Sequence, residues 1–156
     1  MPEVQASISA GSGVVPAECV FCRIARHELP AEILYETDRV ISILDINPIH
    51  FGHALVIPRD HCRDFLSILE DDLHELTRAS QIVARALVRA LNLEGFNVFS
   101  NNGRIAGQSV FHFHLHITPR YPDDDIRFIL TLKTYSNGQM TEYADRIRGF
   151  LADHTT

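Results

Sequence analysis

Three histidines alternate with apolar residues in Val110-Phe111-His112-Phe113-His114-Leu115-His116-Ile117-Thr118. In an extended chain, side chains point to opposite faces in turn. His112, His114 and His116 then share one face, neighbours about 6–7 Å apart, while Phe111, Phe113, Leu115 and Ile117 take the core face. An imidazole with an ordinary pKa of about 6.5 is mostly neutral at pH 7, so each can act as nucleophile, proton carrier or metal ligand. Just upstream, Asn101-Asn102-Gly103-Arg104-Ile105-Ala106-Gly107-Gln108-Ser109 has the composition of an anion cradle. Glycine admits positive φ and close backbone approach, so successive N–H groups can aim at phosphate oxygens, with Gln108 and Ser109 adding side-chain donors. No Gly-Lys-Ser/Thr ending follows, which excludes a Walker loop. A third feature, Cys19-Val20-Phe21-Cys22, has the spacing of a redox pair, of half a zinc site, or of two small buried residues.

These groups need a scaffold. Ile33–Tyr35 and Val40–Leu44 are short apolar runs joined by a polar break of hairpin length, and Ala54–Ile57 lies between Gly52 and Pro58. From Leu73 to Leu91 the apolar positions recur every three to four residues, with Glu70, Asp71 and Asp72 at the start and Arg85 and Arg89 late, which predicts one long helix. Phe96–Ser100 and Val110–Thr118 read as the fourth and fifth strands. Thr141–Ala152 reads as a last helix, with Tyr143, Ile147, Phe150 and Leu151 on one face. Strands joined by short links around one long helix predict an antiparallel α+β domain of about five strands with shorter terminal helices.

The chain has 156 residues, 14 basic against 20 acidic, nine histidines and three cysteines. That length suits one domain, expected over residues 19–156, with the placement of its C-terminal helix left open. Residues 1–18, rich in Ala, Ser and Gly, read as a flexible leader rather than a signal peptide. A formal charge of −6 argues against a non-specific nucleic-acid or membrane-surface binder, and no apolar run is long enough for a membrane span. Three cysteines, two of them close-set, favour a reducing compartment, hence the cytoplasm. His27, His50, His74 and His154 are expected at the solvated surface.

The segment His112–Thr118 resembles the signature of the histidine triad superfamily, His-apolar-His-apolar-His followed by two further residues, and Gly107-Gln108-Ser109-Val110 looks like the lead of its nucleotide-hydrolysing branches. The resemblance runs from about Cys19 to Pro122 and includes Leu44-Asp45-Ile46 with Pro48, Gly52-His53 and Leu55-Val56-Ile57-Pro58. It implies a hydrolase that cleaves at the α-phosphate of an adenosine phosphoramidate or dinucleoside polyphosphate. His114 would be the nucleophile and form a covalent nucleotidyl-histidine. His116 and Ser109 would bind phosphate and assist the leaving group, with His53 in support. Gln108 and the amides from Gly107 to Ser109 would hold the non-bridging oxygens. Asp45 would accept from the ribose, Asn101 would contact the nucleotide, and Phe21, Ile24, Leu44, Ile46 and Leu55 would form a purine slot. A third triad position occupied by His116 rather than glutamine favours hydrolysis over nucleotidyl transfer.

The resemblance extends to a zinc-binding bacterial subgroup, in which Cys19, Cys22, His61 and His112 would hold a structural zinc and Cys62 would be an ordinary neighbour. It implies a homodimer and no organic cofactor. Two other readings compete: a catalytic zinc held by His112, His114 and His116, and a nucleotide-binding protein without turnover.

Overall fold

The computed structural model describes residues 19–151, so the expected leader and His154 lie outside the described residues. The chain divides into two compact units, one ending at Asp124 and one starting at Asp125. In the first unit the order is α1 (Val20–Ala25), β1 (Ile33–Glu36), β2 (Val40–Leu44), β3 (Ala54–Pro58), α2 (Glu70–Leu91), β4 (Gly95–Phe99) and β5 (Leu115–Arg120), with a 3-10 turn at Arg104–Ala106 between the last two strands. The strands form one antiparallel sheet ordered β1-β2-β3-β5-β4. The expected α+β architecture is therefore the one observed.

Strand alternation sorts the sheet into two faces. Val40, Ala54, Val56 and Ile117 point toward α2 and pack with Leu76, Val83, Leu87 and Phe113. Ile41, Ile43, Leu55 and Ile57 point the other way, against Phe21, Ile24 and Ala25 of α1. Each face buries aliphatic side chains on both sides of the same backbone, which is why β2 and β3 read as nearly continuous apolar runs. On α2, Asp72 of the acidic first turn is buried and meets Arg39 Nη1 at 2.6 Å, so a charge suited to the helix N-terminus also ties it to the β1–β2 hairpin. The helix stops at Asn92, which takes the left-handed conformation and donates its N–H to Val88.

Two local features refine the sequence expectation. The first, α1, is one of the expected short terminal helices; its six residues have no side-chain cap and no acidic first turn, so its bounds carry no local signal. The second is β5, which begins at Leu115 and not at Val110. Residues 110–114 lie outside the ladder, with the Phe113 N–H bonded to the Cys62 carbonyl at 2.7 Å. Phe111 consequently does not enter the core with Phe113; it is half-buried, with Arg63 and Arg104 against its ring.

In the second unit, α3 (Gln139–Leu151) forms close to its expected bounds, and the Tyr135 and Tyr143 rings approach to 5.9 Å. Among the described residues no helix is long and apolar enough to cross a membrane.

Candidate active site and metal-ligand cluster

One row of paired residues crosses the sheet beneath the candidate site: Ile43 opposes Leu55, Leu55 opposes His116, and His116 opposes Phe99. Alternation puts the row on the face away from α2. Ile43, Leu55 and His116 therefore join Phe21, Ile24, Leu29, Leu44, Asp45, Ile46, Ser109, Val110 and His114 around a cavity of about 530 Å3. Its walls are mainly aliphatic and aromatic from α1, β2 and β3; its polar lining comes from Ser109, His114 and His116 and, after β2, from Asp45 and Asn47. An apolar slot with a few polar groups is the usual form of a small-molecule site.

Hydrogen bonds fix the state of each imidazole. His114 is buried and donates its Nδ1 proton to the His112 carbonyl at 2.7 Å, so the Nε2 of the neutral ring keeps its lone pair. Burial pulls its pKa below the usual histidine value. The Ile49 N–H donates to His53 Nδ1 at 3.2 Å, which puts the His53 proton on Nε2. That proton faces His116 Nδ1 at 3.0 Å, and His116 in turn carries its own proton on Nε2. Burial, with His114 and His53 close by, lowers the His116 pKa to about 4, and the Phe99 ring stacks on it at 4.7 Å. Asp45 Oδ2 stands 3.5 Å from His53 Nδ1 and also lines the cavity.

Gly52 sets His53 in place. Its φ is +87°, and a Cβ there would stand 2.5 Å from Leu91 Cδ1 and 3.2 Å from Pro119 Cγ. Only glycine fits this approach of the turn to the end of α2, and the next residue is the buried His53.

The loop before the triad is organised differently from the expected cradle. Gln108 is buried; its Oε1 accepts the Gly103 N–H at 2.8 Å, and its Nε2 donates to the carbonyls of Arg63 at 2.7 Å and Val110 at 3.2 Å. The Gly107 and Gln108 N–H groups bond to Arg104 and Gly103 carbonyls. Gly107 and Gln108 thus spend their donors on the loop, because a left-handed turn at Gly107 closes the loop on itself. Asn101 packs beside Gly107, and neither lines the cavity, whereas Ser109 does.

A second cluster lies on the other side of His112. Cys19 Sγ and Cys22 Sγ are 3.3 and 3.4 Å from His112 Nδ1, and Cys22 Sγ and His112 Nδ1 are each 3.3 Å from His61 Nδ1. His112 Nε2 donates to the Pro58 carbonyl at 2.8 Å, which leaves Nδ1 for the cluster. The four donor atoms lie within 4.8 Å of one another. Edges of a tetrahedron with metal–nitrogen bonds of about 2.05 Å and metal–sulfur bonds of about 2.3 Å fall near 3.3–3.8 Å, so the donor set fits a structural metal. The triad itself does not converge as one ligand set. His112 belongs to this cluster, His116 groups with Asp45 and His53, and His114 Nδ1 is committed to backbone. This geometry removes the basis for a catalytic metal on all three.

Cys62 is half-buried against the α2-side core, with burial pushing its thiol up to about 12. His27 and His74 are exposed as expected. His50 is not a solvated residue: its Nδ1 is buried and its ring lies 4.4 Å from that of Tyr121, because the turn at 48–52 folds back on the sheet end.

The family model described as the HIT domain matches residues 26–123. The chain belongs to the HIT domain family. Among relatives, this HIT domain is 35% identical to the adenosine 5′-monophosphoramidase HNT1 of Saccharomyces cerevisiae, over 76% of this chain and 73% of that one. It is 36% identical to the adenylylsulfatase HINT3 of Arabidopsis thaliana, over 82% and 68% of the two chains. Among solved structures, a Streptococcus mutans protein superimposes with a TM-score of 0.85 at 30% identity, covering 97% of this chain and 99% of that one. A zinc-bound histidine triad protein from Mycobacterium smegmatis superimposes with a TM-score of 0.66 at 32% identity, covering 89% and 98%. These relatives support nucleotide hydrolysis in general terms for the HIT site described above.

Proposed function

We propose that this HIT protein hydrolyses conjugates of a purine nucleoside 5′-monophosphate at the α-phosphorus, through a covalent nucleotidyl-histidine on His114. The observation that carries the reading is the tautomer of His114: with Nδ1–H bonded to the His112 carbonyl, Nε2 offers a lone pair in a mainly apolar slot.

The base lies between Phe21, Ile24, Leu44, Ile46 and Leu55, and Asp45 accepts from the ribose hydroxyls. The His114 Nε2 lone pair attacks phosphorus, and the bond to the leaving group breaks with its electron pair on the leaving atom. A leaving amine protonated on its phosphorus-bound nitrogen departs as the neutral amine, with His116 Nε2–H donating a hydrogen bond to the leaving atom. Water then attacks the phosphorus, the phosphorus–nitrogen bond breaks back onto His114 Nε2, and the water proton passes to the freed amine. His53 holds His116 in the tautomer that donates this hydrogen bond. Ser109 donates to a non-bridging oxygen. Gln108, Gly107 and Asn101 act at one remove, by shaping the loop that carries Ser109.

Cys19, Cys22, His61 and His112 are the proposed ligands of a zinc ion, which would tie α1 to the catalytic segment. The zinc-bound neighbour supports this, as do donor distances of 3.3–3.4 Å. Thiols kept for a metal suit a reducing compartment such as the cytoplasm. A homodimer is the proposed assembly, supported by β4, which ends the sheet with Phe96 and Val98 exposed.

The test is a substrate panel of adenosine 5′-phosphoramidate, adenylyl sulfate and dinucleoside polyphosphates, with rapid quenching and mass analysis of the protein. AMP release with an adduct on His114, both lost in His114→Ala while nucleotide binding changes only a few-fold, is the expected outcome. Tight binding with no product from any member would instead favour a nucleotide-binding protein without turnover.

A further inference from the structure

The last turn of α1 is completed by a residue from beyond β3. Arg26, His27 and Glu28 donate their N–H groups to the carbonyls of Cys22, Ile24 and Arg23, with His27 in the left-handed region at φ +59°, a Schellman turn on a residue other than glycine. The carbonyl of Ala25, the last helical residue, accepts Arg59 Nη1. The same guanidinium donates from Nε to the Thr37 carbonyl at 2.7 Å and from Nη2 to Glu36 Oε2 at 2.6 Å. Glu36 Oε2 also stands 3.3 Å from His27 Nε2. One side chain, 22% exposed, thus joins the end of α1 to the turn of the β1–β2 hairpin.

Arg59 itself does not line the slot, but the backbone it holds does. Phe21 and Ile24 lie before the tied carbonyl, Leu29, Pro30 and Ala31 lie after it, and all of them face the cavity. Six helical residues span only about 9 Å and cannot fix their own position. The first turn is tied by Cys19 and Cys22 to the cluster with His61, and the last turn by Arg59, so both ends are anchored from the few residues that follow Pro58.

The chemistry of the side chain suits this task. A guanidinium presents donors in one rigid plane and reaches three oxygens on three segments at once, which the single nitrogen of a lysine cannot do as well. The ion pair with the half-exposed Glu36 contributes little alone; the bonds to two backbone carbonyls are what hold the helix end. We propose that Arg59 is a positioning residue for the nucleoside end of the slot. It sets where Phe21, Ile24 and the 29–31 segment stand relative to β2 and β3, and so governs capture of the base without entering the chemistry at His114. This rests on the nucleotide reading above and adds to it a determinant of affinity outside the cavity.

The experiment compares wild type with Arg59→Gln, Arg59→Lys and, as a control, Arg39→Gln, since Arg39 ties α2 rather than α1 to the same hairpin through Asp72. All are titrated calorimetrically with AMP, at a temperature where circular dichroism shows the native fold. Affinity is expected to weaken about tenfold in Arg59→Gln, about threefold in Arg59→Lys, and less than about twofold in Arg39→Gln. With adenosine 5′-phosphoramidate, KM of Arg59→Gln should rise about tenfold while kcat stays within about threefold. Unchanged AMP affinity in folded Arg59→Gln, an equal loss in Arg39→Gln, or a fall in kcat at constant KM would overturn the assignment. Should Arg59→Gln fail to fold, wild-type AMP affinity in Arg59→Lys overturns it. Wild type that binds AMP without turning over the phosphoramidate ends the hydrolase reading and leaves the titrations to decide on Arg59; wild type that binds no AMP overturns both.

Discussion

The carbonyl oxygen of His112 accepts the Nδ1 proton of His114 at 2.7 Å. One residue thereby serves two sites: its ring closes the Cys19–Cys22–His61 cluster while its backbone selects the tautomer of the neighbouring imidazole. Disturbing the cluster should reach the pocket through this peptide unit and through Phe21, whose ring lies against both His112 and His114.

Removal of the proposed zinc is expected to lower stability first and activity only as a consequence. Chelation, or Cys19→Ser, should reduce Tm by on the order of 10 °C, the shift expected from about 3 kcal/mol in a domain of this size. Adding zinc back to the chelated wild type should restore it. Activity should decline on the timescale of unfolding when followed in parallel by circular dichroism. Instant loss at full native signal would instead assign the metal to the chemical step.

The His53–His116 pair predicts a pH dependence of definite sign. His116 titrates at about 4 in the folded chain, because of burial and the adjacent His114 and His53 and despite Asp45; His53 is lowered as well, chiefly by burial. Unfolded histidine titrates near 6.5. Between about 4 and 6.5 the unfolded chain therefore binds protons that folded His116 does not, so stability is full above 6.5 and is lost as pH falls through that window. His116→Gln lacks this loss. Thermal melts from pH 8 to 4.5 should show the variant gaining on wild type as the solution is acidified, and parallel curves would contradict the buried, neutral assignment.

Gly52→Ala should cost about 1–3 kcal/mol, since the residue sits at φ +87° and its Cβ would press on Leu91 and Pro119. Adding Leu91→Ala removes one clash but not the backbone strain, so rescue should be partial at best. Because His53 follows directly, kcat should fall more than KM changes. A variant with wild-type kcat and Tm would show that the turn tolerates a side chain.

Much of this was legible in the chain because the relevant signals are local. Val40–Leu44 and the 70–91 helix announce themselves by flanking turns and by period, and three histidines at alternate positions share a face whether or not the ladder continues under all of them. Gln108 was not legible in the same way. A glutamine in a glycine-rich loop can donate outward to a ligand or inward to the backbone, and only the folded loop shows that both ends turn inward. Nor could composition distinguish the exposed His74 from His50, whose burial depends on how the 48–52 turn meets Tyr121. The six residues of α1 have neither the length nor the capping to be seen by periodicity. What marked that stretch was the spacing of its two thiols.

That short helix carries two kinds of side chain on one turn and a half of backbone. Cys19, just before it, and Cys22 face the cluster, while Phe21 and Ile24 wall the slot. A helix of this length has little capacity to hold its own shape. The shape of the purine slot is therefore borrowed from the chemistry of sulfur. An oxidant that consumed either thiol would leave His114 and His116 intact yet loosen the surface against which the base must stack, and the loss would register as weaker substrate capture before any slowing of bond cleavage.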